Sequence, residues 1–166
     1  MTRALNVILG VVVLALVAWL VAFAVRGSVA APGSTPSEQR AHELTEIRQS
    51  ARSAAVAFLT IDYRRMDEVT DRVLDGATGT FKKELRSSAS ALKQGVINQE
   101  IVSSGDVEEI GIGTFDLDSA SVFVTAKSKV RSKLTKGKVR ELPSRLRIDM
   151  TKVGDRWLVS SVEPVL

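Results

Sequence analysis

Apolar positions along this chain keep three different rhythms, and each predicts a different kind of element. Over residues 4–25 no polar position interrupts the pattern except Asn6, and no charge occurs in these 22 residues. As a helix the stretch would rise about 33 Å, enough for a hydrocarbon core of about 30 Å. A helix satisfies its own backbone polar groups, as any segment in lipid must. Trp19 and Phe23 stand toward one end, where aromatic rings suit the membrane interface. Ser28-Val29-Ala30 has the small residues of a signal-peptide cleavage site. The apolar run exceeds the about 7–15 residues of such a signal, so residues 1–26 are read as an uncleaved transmembrane anchor. Residues 27–35, rich in Gly, Ser and Ala with one Pro, read as a flexible tether.

From Thr35 the rhythm becomes helical. Thr35-Pro36-Ser37-Glu38 predicts a helix start: Thr35 can cap, Pro36 suits the first helical position, and Glu38 completes a capping box. Ala41, Leu44, Ile47, Ala51, Ala54, Ala55, Phe58 and Leu59 then form one apolar stripe on a helix running to about Asp62, with Glu43, Glu46, Arg48 and Arg52 on the other face. A second helix over 65–74 turns Met66, Val69 and Val73 inward and stops at Gly76. A third over 80–93 turns Phe81, Leu85, Ala89 and Leu92 inward and stops at Gly95.

Beyond Val96 the period is two. Residues 97–112 predict an apolar, glycine-interrupted strand bulged near Gly105. In 119–134, Val122, Val124, Ala126, Val130 and Leu134 share one face, while Phe123, Thr125, Lys127, Lys129, Arg131 and Lys133 share the other. A turn at Lys136-Gly137-Lys138 leads to alternating Leu146, Ile148 and Met150, and Gly154-Asp155 folds the chain back into a last strand from Trp157. The expected fold class is α+β: an N-terminal transmembrane helix, then a cone-like domain over 36–166 in which about three helices pack on a curved antiparallel sheet of about four strands.

Composition narrows the chemistry. No cysteine occurs in the 166 residues, which excludes disulfides and cysteine-based zinc sites. Of the 23 basic residues, Arg3 and Arg26 flank the apolar stretch, leaving 21 against 19 acids in the remainder. That near balance speaks against a nucleic-acid partner. The flanking charges orient the span weakly; a short head before the span and the bulk of the chain behind it predict a single-pass plasma-membrane protein with its N-terminus cytoplasmic and its domain extracytoplasmic.

Candidate sites are few. His42 is the one histidine and reads as a surface residue, since a metal or proton-transfer role would need partners. Asp62 and Tyr63 are an acid and a phenol side by side; on a helix their side chains diverge by about 100°, too far to converge on one substrate. Gly111-Ile112-Gly113 reads as a bend rather than a phosphate loop, lacking a third glycine and a following helix. No catalytic, cofactor or metal site is expected. Residues 127–147 hold nine bases and one acid, Glu141, whereas 100–118 hold six acids and no base. Lys127, Lys129, Arg131 and Lys133 therefore form a candidate interaction stripe for anionic headgroups or an acidic partner; the alternative is mutual attraction between neighbouring strands. Phe58, Phe81, Phe115, Phe123 and Trp157 could line an apolar interior able to take a lipid.

The span, the segment Phe58-Leu59-Thr60-Ile61-Asp62-Tyr63-Arg64, the strand around Ser119-Ala120-Ser121-Val122-Phe123-Val124 and the ending Gly-Asp-Arg-Trp-Leu-Val-Ser-Ser-Val-Glu-Pro-Val together resemble the Mce-associated membrane proteins. The resemblance covers nearly the whole chain. It implies a nuclear transport factor 2-like domain and a non-enzymatic accessory role beside the Mce subunits that move lipids or sterols through bacterial envelopes. The same layout also resembles the bridging subunits of VirB-type secretion and conjugation machines.

Overall fold

A computed structural model of the chain describes residues 35–165. The chain divides into two compact units, Met1–Arg40 and Ala41–Leu166. Among the described residues no helix is long and apolar enough to cross a membrane; the expected span at 4–25, and the tether up to residue 34, lie outside them.

Helix α1 (Pro36–Leu59) begins as its sequence dictates. The Glu38 N–H donates to Thr35 Oγ1 (3.3 Å) and the Thr35 N–H donates to Glu38 Oε2 (2.7 Å), the reciprocal pair of a capping box. Its buried positions are Ile47, Ala51, Ala55 and Ala57, a largely small-residue seam that lets the helix lie close to the sheet. The helix ends at Leu59, three residues short of the expected Asp62. Ile61–Asp62 instead forms strand β1, paired with Ser103 and Val102, and Tyr63–Arg65 forms one 3-10 turn. Asp62 caps that turn by accepting from the Arg64 N–H at 3.0 Å.

Helix α2 (Met66–Asp75) buries Met66 and ends at Gly76 as expected. Helix α3 (Gly79–Gln99) does not stop at Gly95: it continues one turn, buries Val96 and ends at Glu100 in the left-handed conformation (φ 50°). A glycine inside a helix costs only about 1 kcal/mol, which burial of the following valine can offset. Leu92, expected inward, is 54% exposed.

Strands β2 (Val102–Phe115), β3 (Ser119–Arg131), β4 (Arg140–Val153) and β5 (Arg156–Pro164) follow β1 as an antiparallel meander in the order β1-β2-β3-β4-β5. The sheet thus has five strands, one more than expected, because the two residues of β1 carry no period to read. Ile97 belongs to α3 rather than to a strand. Bulges interrupt β2 between Val107 and Glu109 and between Ile112 and Thr114, not at Gly105. The β4–β5 hairpin turns at Gly154 (φ 60°), as expected.

One face of the sheet meets α1. Val122, Val124, Ala126, Ile148, Met150, Trp157 and Val159 are buried against Ile47, Ala51 and Ala55, with Phe81, Phe115 and Val162 packed around them. The link between α2 and α3 is stitched to β5: Thr78 N–H donates to the Val159 carbonyl and Val159 N–H to the Gly76 carbonyl, each at 2.8 Å. Leu134, expected on the buried face with Val122 and Val124, lies beyond the strand, which ends at Arg131, and is 79% exposed in the loop that follows.

Candidate functional site

Of the five aromatic residues expected to line a common interior, Phe58, Phe81, Phe115 and Trp157 lie in or beside the core, and Phe123 lies apart from them. Phe58 and Phe81 are tilted neighbours with ring centroids 5.8 Å apart. Trp157 is buried beneath Lys152, whose ammonium lies 5.5 Å from its ring. Phe115 packs against the core. Phe123 points from the opposite face and is 46% exposed, a correction forced by its alternation with the buried Val122 and Val124. A Cβ at Gly113 would stand 2.9 Å from the Phe123 ring, so that glycine gives the phenyl its seat on the outer face.

A cleft of about 440 Å³ opens beside the core between α1, α2 and the start of β5. Phe58, Ala54, Ala57 and Trp157 form its apolar wall. Its polar groups include Glu46, Arg72, Asp75 and Arg156, of which Asp75 and Arg156 are joined at 2.8 Å. That contact holds the Asp75 carboxyl below its ordinary range, so it is an ionised partner rather than a proton donor. The Trp157 Nε1 is buried without a hydrogen-bond partner.

Asp62, Tyr63 and Arg64 are not on α1 but at β1 and the 3-10 turn after it, where they contact one another. Arg64 grips Asp62 through Nε (2.9 Å) and Nη2 (2.7 Å) and lies 5.8 Å from the Tyr63 ring. The Arg64 hydrogen bonds hold the Asp62 carboxyl down to about 2 from 3.8, which disqualifies it as a base near neutrality. His42 is exposed, 3.5 Å from Glu46. Among the described residues no three His, Asp or Glu side chains are placed to hold a metal ion.

The candidate basic stripe is largely neutralised. Lys127 pairs with Glu108 across β2–β3, Lys129 stands 3.8 Å from Glu141 across β3–β4, and Lys133 lies 2.9 Å from Glu100. The Glu108 carboxylate raises the Lys127 pKa by hydrogen bonding to its charged form. Lys133 is not on the strand at all: it sits in the β3–β4 loop and also donates to the Asn98 carbonyl at 3.2 Å. Arg131 alone of the four has no carboxylate partner among the described residues. The nine bases over 127–147 include Lys136, Lys138 and Arg140; what the sequence reading did not join to them is Leu134 and Val139, exposed in the same loop. The Lys136-Gly137-Lys138 turn was the signal that could have drawn attention there.

A helix-on-sheet unit of this order, three helices then a meander with α1 across it, defines the nuclear transport factor 2-like class of α+β domain. The chain belongs to the family described as uncharacterized protein Rv1363c/MT1408-like, whose model matches residues 5–166. The relative Rv1363c of Mycobacterium tuberculosis is 26% identical over 129 residues, 74% of this chain and 49% of its own length. The chain therefore spans about half the length of the curated relative it matches. Among solved structures, an IcmL-like type IV secretion system protein of Legionella pneumophila superposes with a TM-score of 0.58 at 13% identity, covering 74% of this chain and 93% of that one. CagV of Helicobacter pylori, a VirB8 homolog of a type IV secretion system, gives 0.58 at 5% identity over 73% and 97%. At such identities the likeness shows the fold alone.

Proposed function

We propose that this chain is a non-enzymatic subunit of an envelope complex, held to the plasma membrane by residues 4–25 with its domain on the extracytoplasmic side, and that it acts through protein contacts. The observation that carries this reading is the state of the polar groups around the cleft. Asp75, in the cleft, is tied to Arg156, and Asp62, in β1, to Arg64, so these two acids serve structure. The inner face of the sheet is occupied by side chains of α1 and the strands, which favours a contact role over a lipid-carrying interior.

The complex we name first is an Mce-type lipid or sterol transporter, on the resemblance of the span, the Phe58–Arg64 segment and the closing strand. A second reading has its own support: the IcmL-like protein and CagV, both from type IV secretion systems, share this fold over nearly their whole chains. Purification of the tagged full-length protein in mild detergent, with mass spectrometry of what accompanies it, separates the two. Mce subunits with their permease or ATPase would support the first reading. Secretion or conjugation components would replace it with the second, and hydrolytic or redox turnover by the isolated protein would overturn both.

A further inference from the structure

The β3–β4 loop, residues 132–139, is built to hold a fixed shape. Ser132 and Thr135 exchange hydrogen bonds: the Ser132 N–H donates to Thr135 Oγ1 at 3.0 Å, the Thr135 N–H to Ser132 Oγ at 3.3 Å, and Thr135 Oγ1 to the Ser132 carbonyl at 3.0 Å. Backbone bonds Lys136 to Lys133 (2.9 Å), Gly137 to Ser132 (3.1 Å) and Lys138 to Thr135 (3.0 Å) close the turn. Lys136 and Gly137 both have positive φ, 52° and 74°. The Lys133 N–H docks the loop on the Gln99 carbonyl at the end of α3, 2.9 Å away.

This ordered loop displays what a loop ordinarily hides. Leu134 is 79% exposed and Val139 61% exposed. Around them Arg131, Lys136, Lys138 and Arg140 have no carboxylate in ion-pair reach among the described residues. Arg131, Lys133 and Lys136 also border a depression of about 500 Å³ that includes Tyr63 and Gly137. Four uncompensated cations beside two protruding aliphatic side chains meet the two demands of a lipid interface at once: cations for phosphates, and apolar groups for the boundary below them.

We infer that this hairpin tip is a peripheral membrane-contact loop, its cations meeting the phosphates of an anionic bilayer while Leu134 and Val139 enter the interface. A protein partner fits the geometry less well. A stable protein interface needs about 800 Å² from each side around a central anchor, whereas here the apolar groups stand singly on a narrow turn among like charges. The inference is independent of which complex the chain serves.

Because the chain contains no cysteine, Leu134→Cys gives a unique attachment point for an environment-sensitive fluorophore. Leu117→Cys, in the β2–β3 turn and 88% exposed, supplies the reference label. The full-length labelled protein is reconstituted into vesicles of phosphatidylcholine, with or without a third phosphatidylglycerol. The expected result is a blue shift and brightening of the Leu134→Cys label in the anionic vesicles only, reversed in high salt, with the Leu117→Cys label unmoved. Charge reversal of Lys136, Lys138 and Arg140 together to Glu should abolish the response; each cation removed singly to Ala should weaken it roughly fivefold. An unchanged Leu134→Cys label in anionic vesicles, or equal shifts with both lipids or at both labels, overturns the inference. So does a response only to an added acidic protein.

Discussion

At Gly105 the end of α1 comes close against the sheet. A Cβ there would overlap the Leu59 Cβ, and the same junction is locked by Ser103 Oγ donating to the Leu59 carbonyl (2.6 Å) and the Gly105 N–H donating to Thr60 Oγ1 (3.3 Å). Gly105→Ala should therefore cost about 1–3 kcal/mol in thermal or denaturant unfolding. Gly111→Ala, whose Cβ would meet nothing within 4 Å, should change stability by no more than about 0.5 kcal/mol. Equal effects would remove the close-contact explanation. Arg52, on the exposed face of α1 as expected, reaches from there to the sheet: its Nη1 donates to the Val107 carbonyl at 3.0 Å, beside the first bulge of β2. Arg52→Ala should lower stability by about 1 kcal/mol. Asp62 gives the pH signature. Its folded carboxyl lies at about 2, below the ordinary 3.8, so its contribution is complete above 3.8 and is lost as pH falls toward 2. The melting temperature of Asp62→Asn should accordingly fall less than that of the parent over this interval; parallel curves would contradict the assignment.

At the scale of elements, the capping box, the period of α1 and the β4–β5 hairpin were legible because each is written in local residues. Thr35 and Glu38 need only each other, and Ile148 and Met150 alternate wherever that strand lies. Three features were not legible, for physical reasons. β1 is two residues long and shows no period; it exists because β2 offers Val102 and Ser103 as partners. Gly95 reads locally as a stop, yet the burial of Val96 draws α3 onward. Leu134 continues the alternation of β3, but the Ser132–Thr135 hydrogen bonds end the strand before reaching it. An ion pair joins α1 to the sheet, Glu43 Oε1 to Lys152 Nζ at 2.8 Å, and the hydrogen bond to Glu43 raises the Lys152 pKa. A folded value above the ordinary 10.5 means this tie is fully present below that pH and is lost as pH rises beyond it. A double-mutant cycle on Glu43→Gln and Lys152→Met should show favourable coupling, larger than the same cycle on the Lys93–Asp67 pair, where the acid is 84% exposed. A smaller coupling for Glu43–Lys152 would contradict this ranking.

At the scale of the whole molecule, Lys127 and Lys129 are paired with acids on neighbouring strands and Lys133 with Glu100 at the end of α3, so three of the four cations of the stripe visible in the sequence are neutralised in the fold while Arg131 is not. Phe123 likewise parts from the other aromatic residues: alternation along β3 sends it to the outside while Trp157 is buried in the core. Partners cannot be read from a single chain's hydrophobic and polar pattern, because a docking surface and an ordinary solvated face are built from the same residues; here the naming of partners rests on resemblance and on the shared fold. The most direct test is crosslinking in intact cells with the full-length protein at native abundance, followed by identification of peptides joined to residues 41–165. Our account predicts crosslinks from this domain to extracytoplasmic parts of one multi-subunit envelope complex. Crosslinks confined to cytoplasmic proteins, or recovery of the domain joined to nothing but itself, would contradict it.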